Sequence, residues 1–244
     1  VNLSGHDGRP NVVGHRGAPL VARENTLESF AAAVAEGADI VELDVGRELL
    51  LGHSRHERRN GSHRHLADAL DLLGGLGAGI QIDVKCVGIE RGIVELVRAR
   101  GLEQRVLVSA NSARSLRLFK RLEPRIATGL GYPRDRVGAG GWRWPRGFTA
   151  KAVAVGRAIM PRRVPSLLAL SQVDVLMLHR NLVTQAAVDA AHGRGVAVFA
   201  WTANDPAEVA ALASLAVDGI TTDDPRMALE TLATLENAVK RGAE

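Results

Sequence analysis

Short β-branched runs alternate with Ala/Leu-rich amphipathic stretches through almost the whole chain, and no other feature narrows its fold as much. The runs lie at 11–13, 40–45, 79–84, 106–109, 125–130, 173–178, 196–201 and 219–222. Stretches of helical period fall between and after them, at 26–36, 66–73, 89–100, 112–121, 148–160, 184–192, 206–215 and 225–239. Asp205-Pro206 and Asp224-Pro225 each set a capping side chain before a first-turn proline. Eight strand–helix pairs in 244 residues match an α/β architecture of one kind in particular, the closed parallel (β/α)8 or TIM barrel, which needs about 250 residues. An open, doubly wound sheet is the alternative built from the same elements. No linker-like stretch divides the chain, so 1–244 is expected to form a single domain.

Two stretches break the rhythm. Residues 49–65 (LLLGHSRHERRNGSHRH) predict a short extra strand and a basic loop after strand two, and 131–147 (GYPRDRVGAGGWRWPRG) a long loop after strand five. Loops beyond about 12–15 residues in compact domains are commonly functional. With 46% hydrophobic residues the chain can bury a large core, which excludes a disordered chain. The lone Cys86 permits no internal disulfide, and no apolar run approaches the roughly 18 residues of a membrane span. The 31 basic residues exceed the 27 acidic ones by only four. In the basic loops little aromatic surface is interleaved, Trp142 and Trp144 chief among it, so a solvated surface is expected, with no nucleic-acid partner and no stable membrane association. A cytoplasmic location is expected, although a leader before Val1 is compatible with the sequence.

In such a barrel the site forms where the C-terminal strand ends meet. Those ends carry His15-Arg16, Glu42 and Asp44, Asp83 and Lys85, Ser109, His179, Trp201 and Thr222-Asp223. Glu42 and Asp44 are two apart on one strand and share a face. Like charges so placed repel unless a cation intervenes, and Asp83 can add a third carboxylate from the next strand. All-oxygen coordination suits Mg2+ or Ca2+; ion pairing with Arg16 or Lys85 is the alternative. His15-Arg16-Gly17 offers a proton-transfer group and a planar fork for phosphate beside a glycine turn, or else an ordinary turn with a surface histidine. His53 is a second histidine that would let one imidazole act as base and the other as acid. His179 is a further pocket candidate, whereas His56, His63 and His65 are expected in solvent and His192 in a helix's last turn.

Taken in order, HRG at 15–17, ENT at 24–26, ELD at 42–44, His53, IDVK at 82–85, LVT at 182–184, AWT at 200–202 and DGITTDDP at 218–225 resemble the glycerophosphodiester phosphodiesterase family. The resemblance implies a barrel enzyme that releases sn-glycerol 3-phosphate and an alcohol from a small glycerophosphodiester. By that resemblance His15 and His53 are the acid/base pair, and Glu42, Asp44 and Asp83 hold one divalent cation, Mg2+ or Ca2+. Arg16 and Lys85 contact phosphate, Glu24 and Asn25 lie beside metal and substrate, and Trp201 lines the pocket. An aromatic face there could also take a choline head group.

The chain departs from the family pattern in three places. The 44–53 segment is shorter than the usual hairpin and lacks its Lys-Asp-Gly turn. Ser54 stands where Asp is frequent, and Asp83 where Glu is common. Two other functions compete: a phospholipase using the same two-histidine chemistry on intact phospholipid, and a non-catalytic barrel that binds glycerophosphodiesters.

Overall fold

A computed structural model describes residues 1–6, 8–54, 64–133 and 149–242. Eight parallel strands close into a barrel in sequence order, the last pairing with the first. They are β1 Asn11–Gly14, β2 Ile40–Val45, β3 Gly79–Val84, β4 Val106–Ala110, β5 Ala127–Tyr132, β6 Val175–His179, β7 Ala197–Trp201 and β8 Gly219–Thr222. Each is followed by a helix: α1 Leu27–Ala35, α2 Leu66–Leu76, α3 Glu90–Arg98, α4 Ala113–Leu122, α5 Thr149–Ser171, α6 Gln185–His192, α7 Pro206–Ser214 and α8 Pro225–Gly242. The closed barrel, not the open sheet, is therefore the answer to the alternation. A parallel strand must be re-entered by a crossover, and seven helical crossovers with the helix after β8 surround the ring.

The period-two pattern of each strand divides the core in two. Val12, Val41, Leu43, Ile80 and Ile82 face outward and pack under the helices. Val13, Ile40, Leu107, Val175, Met177 and Phe199 fill the barrel's interior. Polar side chains replace these one layer higher, at the C-terminal strand ends, so the apolar plug is the floor of the site. Gly219 on β8 makes room for that plug, because a Cβ there would lie 2.7 Å from the Phe199 ring.

The helix ends follow their sequence signals. Thr26, Ser112, Thr184 and Asp205 each cap the N-terminus of a helix with a side-chain oxygen. Three details differ from the sequence-based expectation. Helix α5 does not stop near Met160 but continues through Pro161 and Pro165 to Ser171; buried Val164, Leu168 and Ser171 anchor the extra turns against the core, offsetting the hydrogen bonds that proline removes. The extra strand after β2 is reduced to a tight turn at Arg47–Leu49 and isolated bridges, Val45 with Leu51 and Leu50 with His65. His65 is not left in solvent: its ring accepts from the Ala67 N–H and forms a capping box with Asp68 at the start of α2. His56 and His63, and most of the loop after β5, with Trp142 and Trp144, lie outside the described residues.

Filling the Gly219 position tests the layered interior. Gly219→Ala is expected to destabilise the barrel by about 1–3 kcal/mol through overpacking, read by chemical denaturation. Phe199→Leu in the same chain should recover part of that loss.

Candidate active site

A cleft of about 390 Å3 opens at the C-terminal end of the barrel. His15, Glu42, Asp83 and Lys85 line one side, and His179 and Trp201 the other. The acid pole is built first by β2, whose alternation turns both Glu42 and Asp44 inward. Register pairs Asp44 with Asp83 on β3. One oxygen from each of Glu42, Asp44 and Asp83 lies within 4.8 Å of the others, which is the grouping the sequence pattern predicted.

Asp44 is 1% exposed and is held from every direction. Lys85 Nζ lies 2.7 Å from Oδ1, and Arg16 Nε 3.0 Å from Oδ2. Asn25 Nδ2 donates to Oδ2 at 3.1 Å, while the Asp44 N–H donates to Asn25 Oδ1 at 2.9 Å. Burial alone would raise the Asp44 carboxyl, but Lys85, His53 and Arg16 together hold it well below the usual carboxylate range. Glu42 fares differently. It accepts the Arg16 backbone N–H at 2.7 Å, yet burial first, and the Asp44 charge second, push it up to about 8. Lys85 also pairs with Asp83, so the two nearby cations serve mainly Asp44 and Asp83. The cluster is short of positive charge at Glu42, and its all-carboxylate donor set fits a divalent cation. Ion pairing, the alternative read from the sequence, is thus present without satisfying all three acids.

The loop after β1 delivers the next groups through a tight backbone. Arg16 and Asn25 both take positive φ, 55° and 56°, a conformation that costs a non-glycine residue about 1–3 kcal/mol. The Arg16 carbonyl is pinned by the Asn25 N–H at 3.0 Å and by Ser29 Oγ at 3.1 Å. Gly17, at φ 95°, passes so close to Ser29 that a Cβ would fall 2.6 Å from its backbone. The Arg16 fork is engaged within the cluster: Nη1 donates to both Glu24 oxygens at 3.0 and 3.1 Å, and Nη2 lies 3.1 Å from His53 Nδ1. His53 Nδ1 is also 3.1 Å from Asp44 Oδ2. The short 44–53 segment therefore brings His53 to the acids.

His15 stands at the end of β1 with Nδ1 2.7 Å from Asp223 Oδ1. Asp223 is itself held by Asn204, whose Nδ2 donates to Oδ2 and whose Oδ1 accepts the Asp223 N–H at 2.8 Å. Burial pulls the His15 imidazole down, but the Asp223 hydrogen bond and the Glu42 charge outweigh it, and the group ends above its ordinary value. Asp223 is drawn below its own, burial being outweighed by His15 and Asn204. Across the cleft, burial and Arg180 push His179 down to about 4. Its ring meets Trp201 edge-on at 5.1 Å and 82°, and Trp201 Nε1 donates to the Met177 carbonyl at 3.2 Å.

All eleven residues singled out from the sequence thus line the cleft or contact residues that do. Sequence reading noted Asp223 and Ser109 at their strand ends but gave them no task, and it missed Asn204 and Gln81. The Thr222-Asp223 strand end was the available signal for Asp223, since β8 closes beside β1. Asn204 carried none, because its contact with Asp223 spans two strand–loop junctions.

The model of the glycerophosphoryl diester phosphodiesterase family matches residues 15–47 and 78–227. The chain belongs to this family. Its enzyme class is accordingly that of the phosphodiesterases. A glycerophosphodiester phosphodiesterase of Caldanaerobacter subterraneus subsp. tengcongensis is 24% identical, over 95% of this chain and 98% of that protein. Among solved structures, a glycerophosphodiester phosphodiesterase from Agrobacterium tumefaciens superposes with TM-score 0.69 at 20% identity, covering 91% and 98% of the two chains. An Oleispira antarctica phosphodiesterase, solved with the product sn-glycerol 3-phosphate, gives 0.68 at 21% identity over 92% and 97%. Among the described residues no helix is long and apolar enough to cross a membrane.

The His15–Asp223 contact sets a direct test. In an NMR titration the His15 ring is expected to change charge above 6.5, and in Asp223→Asn at a distinctly lower pH, because the partner that favours the imidazolium is gone. An unshifted midpoint would remove Asp223 as the cause.

Proposed function

We propose that this protein hydrolyses glycerophosphodiesters to sn-glycerol 3-phosphate and an alcohol, working as one barrel domain over 1–244 with a divalent cation held by Glu42, Asp44 and Asp83. The observation that carries this reading is the meeting, in one cleft, of three carboxylates with oxygens within 4.8 Å and two histidines reached from separate loops. Membership of the family, and the product bound in the Oleispira relative, support the choice of substrate.

His15 and His53 act as the acid/base pair. Asp223 engages Nδ1 of His15, which leaves Nε2 as the atom that exchanges protons with substrate. One imidazole takes the proton of the glycerol 2-hydroxyl as that oxygen bonds to phosphorus. The other protonates the departing alkoxide as the old P–O bond breaks, giving a cyclic phosphate and the alcohol. Water then adds to phosphorus with the two roles exchanged, and the ring opens to glycerol 3-phosphate. Bound at the three carboxylates, the cation supplies charge that lowers the hydroxyl's pKa and offsets the phosphoryl oxygens. Lys85 and Arg16, already balancing the acids, add fixed positive charge beside the phosphoryl group. Trp201 and the neutral His179 face the alcohol, with Arg180 and Glu208 paired beside them.

The retention of both histidines and all three acids favours catalysis over a binding-only barrel, and the size of the cleft, about 390 Å3, favours a deacylated substrate over intact phospholipid. The wild-type protein should release glycerol 3-phosphate from glycerophosphocholine or glycerophosphoglycerol with added Mg2+ or Ca2+, and none in excess chelator. His15→Ala should lower turnover by about 10³-fold or more while cation affinity holds; full activity in that variant would sink the assignment.

Glu42, pushed up to about 8, carries a proton at neutral pH that a bound cation must displace. Cation affinity is therefore expected to rise about tenfold per pH unit up to about 8 and level off above it. Calorimetry in buffers of different ionisation enthalpy should register close to one proton released near neutrality.

A further inference from the structure

Asp44 is fixed from many sides and Glu42 is buried against a backbone N–H, whereas Asp83 is the most exposed of the three acids. It is a quarter exposed, and one of its partners, Lys85, lies only two residues further along, just past the end of β3, and is shared with Asp44. The restraint that comes from a different element is Ser109 on β4. Its Oγ donates to Asp83 Oδ1 at 2.8 Å, and the two residues are register partners across β3 and β4. Behind it Gln81 Nε2 donates to Ser109 Oγ at 3.2 Å.

The polarity of this chain is set by its end. An ionised carboxylate only accepts, so the single hydroxyl proton of Ser109 is committed to Asp83. Ser109 Oγ then has only lone pairs to offer Gln81, which fixes the amide with Nε2 toward serine and Oε1 turned away. That Oε1 is buried with no hydrogen-bond partner among the described residues, on a side chain only 5% exposed. Leaving a buried amide oxygen unmet is costly, and the reverse flip would set two oxygens against each other. The arrangement therefore keeps the serine proton on Asp83. The β5 residue in register with Ser109 is Gly129, so no side chain from that strand competes for the hydroxyl.

We infer that Ser109 is a positioning residue for Asp83, backed by Gln81, and that this directed pair of hydrogen bonds holds the third carboxylate in the orientation that completes the cation site. It rests on the reading of Asp83 as a cation ligand. Neither Ser109 nor Gln81 reacts; both act through Asp83.

The test is cation affinity, measured by calorimetry with Mg2+ and with Ca2+ on metal-stripped protein, beside the melting temperature without metal. Ser109→Ala should weaken affinity by about tenfold or more with an unchanged metal-free melting temperature, and Ser109→Thr should restore most of it. Gln81→Met should weaken it less, and adding it to Ser109→Ala should cost nothing further, because the two act in series. In the assay the concentration of cation giving half-maximal activity should shift by the same factor, with activity falling far less at saturating cation. Wild-type affinity in Ser109→Ala, loss in Ser109→Thr equal to that in the alanine variant, or multiplying losses in the double variant would each overturn the inference. So would a wild-type protein that binds neither cation. If cation binds and Ser109→Ala weakens it while no glycerophosphodiester is turned over, the inference stands and the proposed reaction falls.

Discussion

Three carboxylates gathered at the end of a low-dielectric barrel are the constraint around which the rest of this structure is arranged. Two of them are nearly sealed from water, where like charges repel far more strongly than at a surface. The response is graded. Asp44 receives an ammonium, a guanidinium, an imidazole and an amide, and stays ionised. Asp83 receives a lysine it must share and a serine hydroxyl. Glu42 receives one backbone N–H and retains a proton up to about 8. A fold that wanted only stability would replace such a cluster with apolar side chains, because buried charge seldom adds stability. Its upkeep points to use.

The strain in the loop after β1 follows from the same cluster. To direct its backbone N–H at Glu42 and its guanidinium at Asp44, Arg16 takes a positive φ. Asn25 does likewise, and its amide exchanges hydrogen bonds with both ends of Asp44. Gly17 and Ser29 lock the turn between them. Local backbone cost is thus met by interactions with buried acids, and the β1 loop, α1 and the end of β2 behave as one unit.

The barrel was legible in the sequence because its signal is repeated eight times and each repeat is local: a β-branched run, a turn, an amphipathic stretch. The acid pole was legible for a related reason. Glu42 and Asp44 sit two apart on a strand, so a short-range rule places both on one face, and the next strand supplies Asp83 in register. What escaped is longer-ranged. Asp223 orients His15 across 208 residues of chain, and Asn204 braces Asp223 from another loop. Helix α5 misled for a different reason: proline at 161 argues for a stop, but burial of Val164 and Leu168 beyond it outweighs local preference.

His15 and His179 show how far such an environment can separate two chemically identical groups. His15 is raised by an acid partner that neither loop predicts alone, while His179, at the opposite wall, is pushed down to about 4 by burial and Arg180. One cleft therefore contains an imidazole poised to hold a proton and another that stays neutral across the physiological range. The division follows the barrel's own geometry. Strands β1 to β3 and β8 bring the acids and their cations, whereas β6 and β7 bring an aromatic ring and a neutral imidazole in edge contact. Under the proposed reaction the phosphoryl group belongs with the first set and the departing alcohol with the second, so the order of strands around the ring also orients the substrate. The head-group wall can then vary without disturbing the charge balance that the phosphate end depends on, since no described residue of β6 or β7 pairs with Glu42, Asp44 or Asp83.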